Sequence, residues 1–254
     1  MTVVRALRER LPSEDIVYLG DTARVPYGTK SADTITRFAV EDAGFLVGRG
    51  VKLIVVACHS ASSVALPELE RRFGPPVVGV IEPGAKALVA ATERNRVGVI
   101  GTHATIGSAA YERAIRAERP GIEILAKPTP LFVPLAEEGW TDNRVAEQAA
   151  HEYLDGMKRE GIDALLLGCT HFPLLADVIG RVTGREVKLV DSSEATADSV
   201  RGLLGEQGLL KEAGEGSQRF YLTDLTPNFA AVGARFLGAA PGEVMRASVA
   251  GRDT

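Results

Sequence analysis

Two nine-residue segments of this chain repeat each other, and that repeat limits the fold more than any other feature. Residues 50–58 read Gly-Val-Lys-Leu-Ile-Val-Val-Ala-Cys and residues 161–169 read Gly-Ile-Asp-Ala-Leu-Leu-Leu-Gly-Cys. Each opens on a glycine of the kind that closes a helix. Each then runs as an apolar strand to a cysteine, and these are the only two cysteines among 254 residues. Small, polar or imidazole residues come next, Cys58-His59-Ser60 and Cys169-Thr170-His171, ahead of a new helical pattern. The chain therefore reads as two duplicated α/β units.

The remaining pattern agrees. Strand-like runs are expected at 15–19, 51–57, 77–80, 96–100, 122–126, 162–167, 187–190 and 220–223. Most are continuously apolar rather than alternating, as strands covered on both faces of a parallel sheet are. Helices are expected at 32–48, 62–72, 83–93, 105–118, 143–159, 172–183, 193–212 and 227–238. The first of these sets Ile35, Phe38, Ala39, Phe45 and Leu46 on one face. Strand and helix alternating throughout predict an open α/β fold with mostly parallel sheets. One feature departs from it. The chain opens directly into an amphipathic helix bearing Val3, Val4, Leu7 and Leu11, with no strand before it.

In open α/β sheets ligands sit beyond the carboxyl ends of the strands, so both thiols should look into a crevice. A single such cysteine could be a small inert core residue; two at matched positions point to chemistry. Three chemistries compete. A zinc site could draw on Cys58, His59, Cys169 and His171, although adjacent Cys-His lacks the usual two to four intervening residues. A redox disulfide is open to two thiols, although no C-x-x-C motif is present. The third is two-base acid–base catalysis, one thiol on each face of a substrate carbon, which inverts a stereocentre by removing a proton from one side and delivering one to the other.

Composition excludes other classes. With 29 basic and 33 acidic residues the net charge is −4, and no long basic run offers a footprint for nucleic acid or an anionic membrane. No run of about 18 apolar residues is present to span a bilayer, and Met1-Thr2-Val3-Val4-Arg5 lacks the layout of a secretory signal. An apolar fraction of 45% and two cysteines suit a globular protein with reduced thiols, so a cytoplasmic location is expected.

Several longer motifs carry a resemblance. They are Gly20-Asp21-Thr22-Ala23-Arg24-Val25-Pro26-Tyr27-Gly28-Thr29-Lys30, Val56-Ala57-Cys58-His59-Ser60-Ala61-Ser62, Val99-Ile100-Gly101-Thr102, Val133-Pro134-Leu135-Ala136-Glu137-Glu138-Gly139 and Leu167-Gly168-Cys169-Thr170-His171-Phe172-Pro173-Leu174-Leu175. From residue 2 to about residue 240 the chain resembles the glutamate racemases of the cofactor-independent aspartate/glutamate racemase superfamily. The Cys-Thr-His ending favours the glutamate branch.

The resemblance implies two pseudosymmetric α/β domains with the site in the cleft between them, domain A from 1–81 plus 194–254 and domain B from 82–193. It implies interconversion of L- and D-glutamate without pyridoxal phosphate or metal, supplying D-glutamate for peptidoglycan. Cys58 would take the α-proton of D-glutamate and Cys169 that of L-glutamate, with His171 assisting the second thiol and Glu137 beside it. Tyr27, Gly28, His59, Ser60, Thr170 and His171 match substrate-contacting positions. Backbone N–H groups and hydroxyls after each cysteine suit the α-carboxylate and the charge that develops on the α-carbon. Expected partners are the small-molecule substrate glutamate and a second copy in a homodimer, with neither nucleic acid nor membrane.

His103 and His151 read as surface histidines, Glu138 as a solvated neighbour of Glu137, and Asp21 and Arg24 as residues shaping the loop that carries Tyr27. Trp140 could be a lid or a packing residue.

The chain departs from the family pattern twice. His59-Ser60 stands where the family has Asn-Thr, which places a titratable ring beside the first thiol. The family's opening strand and Phe-Asp-Ser-Gly turn, with an Asp that assists the first cysteine, are not in the sequence, which leads to the expectation of a weak or inactive racemase. Two alternatives stay open: a racemase for another acidic amino acid, and a disabled homologue that binds without turnover.

Overall fold

The computed structural model describes residues 1–226 and 229–249. Helix α1 (Thr2–Arg10) leads to β1 (Ile16–Gly20), a 3-10 turn at Tyr27–Thr29 and α2 (Ala32–Val47). Strand β2 (Ile54–Val56) is followed by α3 (His59–Ser62) and α4 (Leu66–Arg72), then β3 (Val77–Gly79) and α5 (Ile81–Ala91). Next come β4 (Arg96–Gly101), α6 (His103–Gly107), α7 (Ala110–Glu118), β5 (Glu123–Pro128), α8 (Phe132–Glu138) and α9 (Arg144–Arg159). Strand β6 (Ala164–Gly168) passes through a 3-10 turn at Phe172–Leu175 into α10 (Ala176–Thr183) and β7 (Lys188–Val190). The chain continues with α11 (Ser192–Glu206), β8 (Gln218–Leu222), α12 (Phe229–Leu237) and β9 (Val244–Arg246).

Every strand pairing among the described residues is parallel. The second half forms one four-stranded sheet ordered β5-β4-β6-β7. In the first half the strands fall into two pieces, β1-β8-β9 and β2-β3, and β1 does not pair with β2.

Burial explains the continuous apolar runs. Strand β6 is buried at all five residues, between α8, α9 and α10 on one face and α5 and α7 on the other. Tyr111, Phe132 and Phe172 are wholly buried in these layers. In the first half α1 and α11 cover one face through Val3, Leu7, Val200 and Leu204. Helices α2 and α4 cover the other through Ala39, Ala43 and Leu69.

Element boundaries differ from the expected ones where local chemistry overrides periodicity. The helix expected at 193–212 ends at Glu206, because Gly208 takes φ +65° and turns the chain. The helix expected at 62–72 starts only at Leu66-Pro67 as α4, after the separate short helix α3 that ends at Ser62. Helix α8 and strand β9 have no counterpart among the expected elements; at seven and three residues each is too short for a clear period.

Two glycines give opposite expectations. A Cβ on Gly168 would sit 2.4 Å from the carbonyl oxygen of Ile100 in the neighbouring strand. Gly168→Ala should therefore destabilise by about 1–3 kcal/mol, as overpacking does, and lower the melting temperature in a circular-dichroism melt. Gly156 lies inside α9, where a methyl group on its Cα would have nothing within 4 Å. There Gly156→Ala should stabilise by about 0.5–1 kcal/mol.

Candidate active site

Both cysteines stand where a parallel strand gives way to a helical turn. Cys58 follows β2 with extended backbone (φ −78°, ψ 121°) and is the N-cap of α3. Cys169 follows β6 and is 7% exposed. Cys58, Cys169, Tyr27, Gly28, His59, Ser60, Glu137, Thr170 and His171 all line one cavity of about 1080 Å³. Every residue singled out from the sequence for the site thus borders the same space.

The two thiols have unlike surroundings. Burial pushes the Cys58 thiol up to about 11, reinforced by the nearby Cys169 and opposed by hydrogen bonds from the Ala61 and Ser60 N–H groups and the Ser60 hydroxyl. At neutral pH Cys58 holds its proton. At the second thiol, His171 Nδ1 lies 3.6 Å from Cys169 Sγ and His171 Nε2 lies 3.1 Å from Glu137 Oε1. Burial alone would lower His171, but its bonds to Cys169 and Glu137 outweigh that and raise it to about 9. His171 is therefore an imidazolium at neutral pH, both N–H groups donating, and sets a cation against the second sulfur. Phe236 packs edge-on against this ring at 5.3 Å, and Arg235 donates to the Glu137 carbonyl at 2.8 Å.

His59 is a different kind of histidine. It is 3% exposed, with Nδ1 2.8 Å from the Tyr111 hydroxyl and Nε2 3.3 Å from Ser192 Oγ. Burial, with the His171 charge behind it, lowers it to about 3, so the ring is neutral. One nitrogen accepts and the other donates, which satisfies both hydroxyls. Ser60 is likewise engaged, 2.9 Å from Thr102 Oγ1 and 3.2 Å from Thr105 Oγ1. With His59 committed in this way, the four candidate zinc ligands do not converge. Among the described residues no group of three His, Cys, Asp or Glu side chains has metal-holding geometry.

The loop carrying Tyr27 is built on charge. Arg24 binds Asp21 at 2.7 Å, Asp42 at 2.7 Å and Glu41. The Tyr27 hydroxyl donates to Asp21 and, at 3.1 Å, to Asp42. Burial and the neighbouring Asp21 raise the Asp42 carboxyl to about 7. Asp21 and Arg24 thus shape this loop, as expected. Gly28 presses on the second half: a Cβ there would meet Thr102 at 2.5 Å.

Glu138 and His103 are exposed, His103 at the cavity rim. His151 is exposed and faces Asp155 at 3.0 Å, and Trp140 is 50% exposed. Sequence reasoning misses Thr105, Tyr111, Ser192, Asp42, Arg235 and Phe236 around the site. Thr102 lies within one of the shared motifs but has no role there, and the others carry no local signal.

Comparison with known proteins adds to this geometry. Residues 1–200 match the Asp/Glu/hydantoin racemase family. The chain belongs to that family. It is 52% identical over 250 residues to a glutamate racemase of Geobacter metallireducens, covering 98% of this chain and 93% of that one. A crystal structure of glutamate racemase from Francisella tularensis in complex with D-glutamate superposes with a TM-score of 0.92 at 39% identity, over 98% of this chain and 93% of that one. The glutamate racemase of Thermus thermophilus in complex with beta-chloro-D-alanine gives 0.87 at 46% identity, over 97% and 92%. The chain is thus an amino-acid racemase with the two-domain racemase fold. No helix among the described residues is long and apolar enough to cross a membrane.

The His171 pair has a pH signature. Its folded value of about 9 lies above the ordinary 6.5, so the stability it contributes is full below pH 6.5 and is lost as pH rises through 9. Glu137→Gln should bring the His171 NMR titration midpoint down from about 9. It should also flatten the part of the fall in melting temperature between about pH 7 and 10 that wild type owes to this pair. An unchanged midpoint would mean that Glu137 does not hold the charge.

Proposed function

We propose that this racemase interconverts L- and D-glutamate by a two-thiol route. The observation that carries the reading is the matched pair of strand–cysteine turns opening on one cavity. The glutamate racemases among its relatives and structural neighbours support the substrate.

In the L-to-D direction Cys169 Sγ, with the His171 imidazolium 3.6 Å away, takes the α-proton. Cys58, which burial keeps protonated, delivers its proton to the opposite face of the same carbon. One S–H bond forms and another breaks, and the electron pair stays on the substrate carbon. Glu137 steadies His171 through the 3.1 Å contact. In the D-to-L direction the two sulfurs exchange roles. Thr170 and the N–H groups after each cysteine are the groups that hold the substrate carboxylates and the developing charge. The product D-glutamate serves peptidoglycan synthesis in the cytoplasm.

Cys58→Ser and Cys169→Ser should each lower racemisation by about 10³-fold or more, followed by circular dichroism. In heavy water, single-turnover reactions should place solvent deuterium in the product of opposite configuration. A serine variant with near-wild-type turnover would refute the two-thiol route.

Substrate choice has its own test. A site built to pair a side-chain carboxylate loses that pairing when the substrate is one methylene shorter, at about 1–3 kcal/mol. The specificity constant for glutamate should exceed that for aspartate by about 10-fold or more. Equal constants would assign the site to acidic amino acids at large.

A further inference from the structure

The loop that carries Tyr27 joins the two halves beside the cavity. Its first end is anchored just past β8. The Thr22 hydroxyl donates to the Asp224 carbonyl at 2.6 Å, and Thr223 Oγ1 accepts from the Ala23 N–H and donates to Asp21 Oδ1, each at 2.9 Å. Its other end presses Gly28 on Thr102, whose hydroxyl lies 2.9 Å from Ser60 Oγ. Ser60 in turn hydrogen-bonds the Cys58 sulfur. The set of this loop is therefore felt at the first thiol.

Between these ends one hydroxyl faces two acids. The Tyr27 oxygen touches Asp21 Oδ2 and lies 3.1 Å from Asp42 Oδ2. A phenol carries one proton and can accept another. That single proton cannot serve two carboxylates at full strength. Asp21 is the better supplied anion, with Arg24 Nε at 2.7 Å from Oδ2 and the Thr223 hydroxyl on Oδ1. Asp42 has Arg24 Nη2 on Oδ1 at 2.7 Å, while its Oδ2 has Tyr27. Glu41 also binds Arg24, so one guanidinium stands against three carboxyls. Of the other cations, Arg37 lies 3.8 Å from Glu41, and Arg246 of β9 borders the outer side of the cluster. A proton on Asp42 Oδ2 completes the count: Asp42 donates to Tyr27, Tyr27 donates to Asp21, and each contact has its own hydrogen.

We propose that Asp42 is a positioning residue for the racemase site, latching the Tyr27 loop as a neutral acid and loosening it as a carboxylate. The proposal rests on the reading that this loop borders the substrate. Burial first, and Asp21 next, raise the Asp42 carboxyl to about 7 from the ordinary 3.8. Because the folded value is the higher, the latch is fully held below pH 3.8 and is lost as pH rises through about 7.

Asp42→Asn is the matching variant. Its amide oxygen can accept from Arg24 and its NH2 can donate to Tyr27, so it copies the protonated acid and does not titrate. Hydrogen exchange at the amides of residues 22–30, corrected for the intrinsic rate, should quicken by about 10-fold from pH 6 to pH 8 in wild type and stay level in Asp42→Asn. Asp42→Leu should exchange fast at both values. The KM for glutamate, wild type over Asp42→Asn, should rise by up to about 10-fold across the same interval, with kcat changing less than about 2-fold. A carbon-13 NMR titration of wild type, which needs no variant to fold, should place the Asp42 midpoint near 7. A midpoint in the ordinary carboxylate range, or the same pH course of exchange in wild type and Asp42→Asn, overturns the latch. A KM ratio that does not move with pH overturns the positioning role even where the loop loosens. Exchange and NMR need no turnover, so their failure is distinct from a failure of the two-thiol route, on which the cysteine variants bear.

Discussion

The relation between the two sulfurs depends on a buried seam of hydroxyls and one neutral imidazole. Ser60, next but one to the first thiol, meets Thr102 and Thr105 of the second half, while His59 meets Tyr111 and Ser192. Gly28 closes against Thr102 with no room for a side chain. These groups are 8% exposed or less at Ser60, Thr102, Thr105, His59, Tyr111 and Ser192. A buried donor or acceptor left unpaired costs about 1–3 kcal/mol. Any sliding of one half over the other would break several such bonds together, so the seam holds the two cysteine turns in one register across the cavity.

Two histidines near these turns show how surroundings decide chemistry for one residue type. His59 has hydroxyls for partners and no carboxylate, so burial wins and the ring stays neutral. His171 has Glu137 on one nitrogen and the Cys169 sulfur on the other, and the cation survives burial. The first serves as a tie between helices and the second as a charge beside the Cys169 sulfur. The same contrast separates the thiols: Cys58 is kept as S–H by burial, whereas Cys169 faces a cation. A duplicated scaffold thus gives its two matched thiols unlike surroundings, which is the asymmetry the proposed two-thiol route draws on.

The rest of the cavity wall reflects similar local balances. Arg24 gathers Asp21, Glu41 and Asp42 about itself and leaves one carboxyl, Asp42, raised to about 7. That cluster fixes the Tyr27 loop. On the far side α12 returns late in the chain to set Phe236 against His171 and Arg235 against the Glu137 carbonyl.

By itself the sequence determined the parallel α/β class, because continuous apolar runs between amphipathic helices have few other solutions. It also determined the two strand–cysteine turns and the residues beside them, because a repeat with a reactive side chain at the same register is a local pattern. The tertiary structure alone decided what those residues meet. That His59 is tied to Tyr111 and Ser192, 52 and 133 positions away, has no periodicity to announce it. Nor does the contact of Phe236 with His171, since such pairs arise only when the halves pack. The break between β1 and β2 belongs to the same class. The amphipathic helix with no strand before it is legible in the sequence, but pairing is a property of neighbouring backbones, and only the folded chain has them.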